Sequence, residues 1–141
     1  MNVRHAAITL AIISLALLAG CTQQKMEARR DATVAALAQY PGNPQRSDTV
    51  TVAAVDYPAD KRFELYNMGD QPITNAKVWV NQRFVKEVGR IPARGSVNIK
   101  YADVLEQGAG VQDLAQYARG ISAVELQTPD GLFTVLGPSR K

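Results

Sequence analysis

The chain has 141 residues, with 16 basic and 13 acidic side chains and a single cysteine, histidine and tryptophan. A formal net charge of +3 is too small for a nucleic-acid footprint, and one cysteine cannot form an internal disulfide. The lone histidine is His5, so the chain beyond it has no histidine for triads or acid–base chemistry, and one cysteine without histidine is too few for a His/Cys metal site.

Met1 to His5 carries Arg4 and no acid, and is followed by thirteen residues, Ala6 to Leu18, that are almost wholly apolar. A permanent membrane helix needs roughly 20 such residues, so the pattern is that of a removable signal segment. At its end stands Leu18-Ala19-Gly20-Cys21. This run resembles the lipobox of bacterial lipoproteins, which implies cleavage between Gly20 and Cys21. It also implies acylation of Cys21 with a diacylglyceryl group, usually with a third, palmitate-type chain on the amine. Several acyl chains anchor a protein stably where one does not. Thr22 stands where enteric lipoproteins retained in the inner membrane carry aspartate. By that family rule the resemblance implies the bacterial cell envelope, at the outer membrane and facing the periplasm.

Residues 21–49 read as a lipidated tether. Gln23 to Gln39 is rich in Ala, Gln, Glu and Arg, with helical propensity but no strong apolar stripe. Tyr40-Pro41-Gly42-Asn43-Pro44-Gln45-Arg46-Ser47-Asp48 then supplies two prolines and a glycine, which stop a helix and start a linker. A flexible leader of this size spans roughly 30 Å by coil statistics. Removal of residues 1–20 takes Arg4 with it and leaves a mature chain close to neutral.

From residue 50 to 141 the pattern is that of a β domain. Seven strands are predicted, at Val50–Tyr57, Arg62–Met68, Ala76–Asn81, Arg83–Val88, Val97–Tyr101, Ile121–Thr128 and Leu132–Leu136. Phe63/Leu65, Val97/Ile99/Tyr101 and Val124/Leu126 alternate with polar neighbours, as half-buried strands do. Thr128-Pro129-Asp130-Gly131 is the strongest hairpin signal. Seven short strands with regular turns fit an all-β, immunoglobulin-like sandwich, without the Cys–Trp–Cys signature of true immunoglobulin domains. Between the fifth and sixth strands a short helical insertion is expected. Asp103-Val104-Leu105-Glu106 has the form of a capping box, and Val111, Leu114, Ala115 and Ala118 recur at helical spacing.

The hairpin around Asn81-Gln82 carries the candidate partner surface. A two-residue turn there pairs Trp79 with Phe84 and Val78 with Val85 on opposite faces. If the valines face the core, Trp79 and Phe84 lie outside, flanked by Lys77 and Lys86, as an aromatic docking patch. If Trp79 fills the core, the patch does not exist; a longer turn changes the register altogether. Lys77, Arg83, Lys86, Arg90, Arg94 and Lys100 against the single acid Glu87 form either a basic strip for an anionic glycolipid or an acidic protein, or the protection of an edge strand.

No G-x-S-x-G, S-x-x-K or calcium-loop motif is present in the sequence. The expectation is a non-enzymatic envelope lipoprotein, a binding or adaptor module that needs no cofactor and touches the membrane through Cys21. An accessory subunit of an envelope secretion or transport assembly is the alternative, and a carboxylate-dependent glycan enzyme stands third.

Overall fold

Period-two alternation at residue 52 onward makes each strand two-faced, and two sheets bury the apolar faces against one another. The computed structural model describes residues 39–45, 50–108, 113–117 and 120–141. The signal segment, Cys21, the tether up to residue 38 and part of the insertion lie outside the described residues. Strands β1 (Val52–Tyr57) and β2 (Arg62–Asn67) form an antiparallel hairpin, from Val52 opposite Asn67 to Tyr57 opposite Arg62. A 3₁₀ turn at Pro58–Asp60 connects them, and Lys61 closes it in the left-handed region. Val52 and Ala54 on β1, with Phe63 and Leu65 on β2, point into the core.

The other long hairpin joins β3 (Ile73–Val80) to β4 (Phe84–Ile91). Both strands run beyond the predicted segments, because a bulge lets the pairing continue. Asn75 (φ 52) and Gly89 (φ 72) take left-handed conformations where the register shifts, with Ala76 opposite Gly89. Such bulges bend a strand without ending it. Then come β5 (Ser96–Lys100), β6 (Leu105–Glu106), β7 (Val124–Thr128), β8 (Gly131–Thr134) and β9 (Leu136–Arg140). Thr128 pairs with Gly131 across the predicted turn.

One sheet has the order β5-β2-β1-β9 and the other β6-β4-β3-β7-β8. All seven predicted strands are present. The first, second and fifth of them share one sheet, and the third, fourth, sixth and seventh share the other. The seven-stranded immunoglobulin domain keeps its fourth strand with the first, second and fifth; here that strand lies beside the third instead, so the fold is an all-β, immunoglobulin-like sandwich with one strand on the other sheet. Phe63, Leu65, Val78, Val80, Phe84 and Leu126 lie in its core, each with no more than trace exposure.

Two strands were not expected. β9 leaves the five-stranded sheet after Val135 and pairs in parallel with β1, which ties the two sheets together at the C-terminal end. It carries a proline at position 138, tolerated because β9 is an edge strand with an irregular register. β6 occupies the place of the predicted capping box. Asp103 ends a 3₁₀ turn (Tyr101–Asp103), and Leu105 and Glu106 pair with Val85 and Phe84. The expected helix is reduced, among the described residues, to a 3₁₀ turn at Leu114–Gln116, where Gln116 N–H donates to Asp113 Oδ1 at 3.1 Å. Leu114 N–H donates to the Val104 carbonyl, so the described part of the insertion folds back on the sheet end.

Candidate functional site

The turn between β3 and β4 decides which side chains face outward. Asn81 and Gln82 both take left-handed φ, at 52° and 59°, and Arg83 N–H donates to the Val80 carbonyl at 3.1 Å. Left-handed backbone costs a non-glycine residue about 1–2 kcal/mol, and Asn81 is repaid by its side chain. Its Oδ1 accepts from Ser122 N (2.8 Å), Ser122 Oγ (2.8 Å) and Ala123 N (3.1 Å), and its Nδ2 donates to the Gly120 carbonyl at 2.8 Å. The loop spans Asn81 to Arg83, one residue longer than a two-residue turn. Val80 therefore faces Phe84, Trp79 faces Val85 and Val78 faces Lys86.

This register corrects the expected aromatic patch. Phe84 points into the inter-sheet core with Val78 and Val80, while Trp79 and Lys77 lie on the opposite, outer face. The two aromatic residues never share a surface, and both are 0% exposed. Lys77 and Lys86 are separated in the same way.

Trp79 is nevertheless buried, although it faces away from the core. Its cover is the segment predicted to be a linker. Tyr40 lies against Trp79, with Val85 and Leu132 completing the cluster. Tyr40 N–H donates to Gln107 Oε1 at 2.8 Å. Further along, Gln45 N–H donates to the Leu132 carbonyl at 2.8 Å and Thr134 N–H to the Gln45 carbonyl at 3.0 Å, a parallel bridge onto the edge of β8. Between these ends Gly42 (φ 71) and Asn43 (φ 55) turn the chain. Residues 40–45 thus form a strap over the outer face, and the folded domain begins before residue 50.

Under the strap lies a polar group that alternation assigns to solvent. Glu125, directly opposite Trp79 on β7, is 4% exposed. Gln82 Nε2 donates to its Oε1 at 3.2 Å. Burial first, and the Glu125 carboxylate next to it, push the Tyr40 phenol up to about 12. Yet neither the Tyr40 hydroxyl nor Glu125 Oε2 completes a hydrogen bond of normal geometry. The indole N–H of Trp79 is satisfied elsewhere, by Gln127 Oε1 at 2.8 Å. Sequence reasoning missed Tyr40, Gln45, Gln82, Gln107 and Glu125. The one available signal was that Tyr40 is the first aromatic residue of the chain, set just before Pro41-Gly42.

The expected basic strip is dispersed. Lys77 pairs with Glu87 at 3.7 Å, Lys86 with Asp103 at 3.8 Å, Arg83 with Glu106 and Arg94 with Asp70 at 2.5 Å. Arg90 is exposed opposite Thr74 on the five-stranded sheet, whereas Lys100 sits on the other sheet opposite Arg62.

Two other surfaces are built. On the outer face of the four-stranded sheet Tyr57 and Tyr66 both donate to Glu64 Oε2, and the Arg62 guanidinium lies 3.9 Å over the Tyr57 ring. Arg62 Nε also donates to Asp60, while its Nη1 lies 3.6 Å from Glu64 Oε1 and completes no hydrogen bond. At one end of the sandwich a groove of about 360 Å³ is lined by Asn67, Asp70, Gln71, Thr74, Thr128 and Asp130, among others. Asn67 there is committed to its own loop, donating to the Gln71 and Pro92 carbonyls and accepting from Gly69 N–H.

No protein-family model, curated protein or solved structure matches the chain. The fold and the site define an all-β sandwich with a strapped aromatic face.

Proposed function

We propose that the chain is a membrane-anchored bacterial envelope lipoprotein whose sandwich is a non-enzymatic binding or adaptor module. The observation that carries the anchor is Leu18-Ala19-Gly20-Cys21 after a short apolar run. In this reading the signal is cut before Cys21, the sulfur takes a diacylglyceryl group and the amine a palmitate-type chain, and the protein, with Thr22 in place of the retention aspartate, goes to the outer membrane, facing the periplasm. The absence of histidine after His5 supports a binding role. So does the engagement of Asp70, Glu87, Asp103 and Glu106 in single ion pairs with bases rather than in carboxylate pairs.

Intact-mass spectrometry of the native protein tests the anchor. The expected product begins at residue 21 with an acyl-bearing cysteine, and Cys21→Ser moves the protein from the membrane to the soluble fraction. A bare thiol, or a product still joined to residues 1–20, overturns the reading.

A further inference from the structure

We propose that the outer face around Trp79 is a peptide-binding groove. Its own strap closes it, and it opens to an extended segment of a partner protein bearing an aromatic side chain. The proposal deepens the binding-module reading and rests on it, but not on lipidation of Cys21.

Three observations carry it. First, an exposed-side tryptophan on a sheet is buried completely, with Val85 and Leu132, by a ring from outside the strands. Second, among the described residues the strap is hydrogen-bonded to the sheet only at its ends, at Tyr40 and Gln45. Gln45 uses the open edge of β8 as an added strand does, and main-chain pairing of this kind accepts any extended segment. Third, Glu125 is nine-tenths buried beneath the strap, and the Tyr40 hydroxyl beside it completes no hydrogen bond of normal geometry to its Oε2. A buried acceptor with a poorly placed donor is costly, so the strap is an imperfect occupant. A segment whose aromatic residue aims its donor squarely at that oxygen fits better.

The strap supplies the specification of the partner. The incoming segment places an aromatic ring edge-on to Trp79 and pairs its backbone with Leu132 and Thr134 five residues later, as Tyr40 and Gln45 do. It carries no acid beside Glu125, since a second carboxylate there meets like charge in a buried site.

Trp79 is the only tryptophan, so its emission reports on the groove directly. The test uses the full chain in detergent as wild type, Tyr40→Ala and Gln45→Pro, with a synthetic peptide of residues 38–47 as probe. Gln45→Pro removes the N–H that pairs with Leu132 and frees that end of the strap without deleting the tyrosine, and serves if Tyr40→Ala does not fold. In the opened variants Trp79 emission shifts to the red and acrylamide quenching rises. The peptide reverses both in a saturable manner, and a peptide lacking the tyrosine ring binds about tenfold more weakly or worse. Emission unchanged in both folded variants overturns the proposal, as does an opened groove that ignores the peptide. Self-association of the variants that the peptide does not compete also overturns it, because the occupant is then a second copy of the chain. Each result is the same with Cys21→Ser, so failure here is distinct from failure of the anchor.

Discussion

Tyr40 meets Trp79 edge to face, with ring centroids 5.3 Å apart and ring planes at 74°. An aromatic pair of this geometry adds about 0.5–1.5 kcal/mol to the burial of its rings. The leader is therefore part of the domain's stability as well as its connection to what precedes it.

Tyr40→Ala is expected to lower the unfolding free energy by about 1–3 kcal/mol, since a half-buried ring and its edge contact are lost together. Trp79→Ala empties a fully buried site and costs more, about 3–5 kcal/mol. Urea unfolding of both variants measures the difference. A Tyr40→Ala chain as stable as wild type means that the strap contributes nothing.

Alkaline pH loosens the strap. The Tyr40 phenol rises from 10.0 to about 12 on folding, so folding favours its neutral form. That contribution is fully present below pH 10 and is lost as pH climbs from about 10 to about 12. Tyr66 acts in the same direction at still higher pH, because hydrogen bonds with Glu64 and Tyr57 hold its proton. In Tyr40→Phe the earlier loss disappears and the later one remains. Unfolding curves against pH, read beside phenolate absorbance, separate the two.

Asn81 holds the register of the β3–β4 hairpin through its side chain. Asn81→Ala removes four hydrogen bonds and leaves a left-handed backbone without support, an expected loss of about 2–4 kcal/mol. Asn81→Asp keeps the three acceptor contacts and loses only the bond to Gly120, so its cost is smaller. Thermal unfolding ranks wild type, Asp and Ala in that order. Equal losses for Asp and Ala count against this role.

Reversal of Arg90 and Arg94 to Glu is expected to leave vesicle association of the unlipidated chain unchanged. Arg94 and Asp70 are each 73% exposed, an ion pair worth less than about 1 kcal/mol. Lys77, Arg83 and Lys86 have acids beside them, and Lys100 lies on the other sheet. A salt-sensitive loss of binding to anionic vesicles in the double variant contradicts this and restores a basic surface.

Particular residues show how much the chain reveals of its own fold. Phe63 and Leu65 alternate with Arg62 and Glu64, and that local pattern is enough to locate β2 and its buried face. Pro129-Asp130-Gly131 marks the β7–β8 turn equally well. The site is less legible. Glu125 sits on the polar side of an alternating strand and reads as solvated, yet it is buried because Tyr40, 85 positions earlier in the chain, lies over it. Pro41, Gly42 and Pro44 identify an irregular segment without revealing that it packs.

By itself the sequence determines where most of the strands run and, in strands such as β2, which face is apolar, since side chains alternate along any extended backbone. Tertiary structure alone decides which face Trp79 takes and what covers it. Slipping a hairpin by one residue turns its side chains to the opposite side. The bonds that prevent the slip join Asn81 to residues 39 to 42 positions away, brought beside it only when β7 docks on β3.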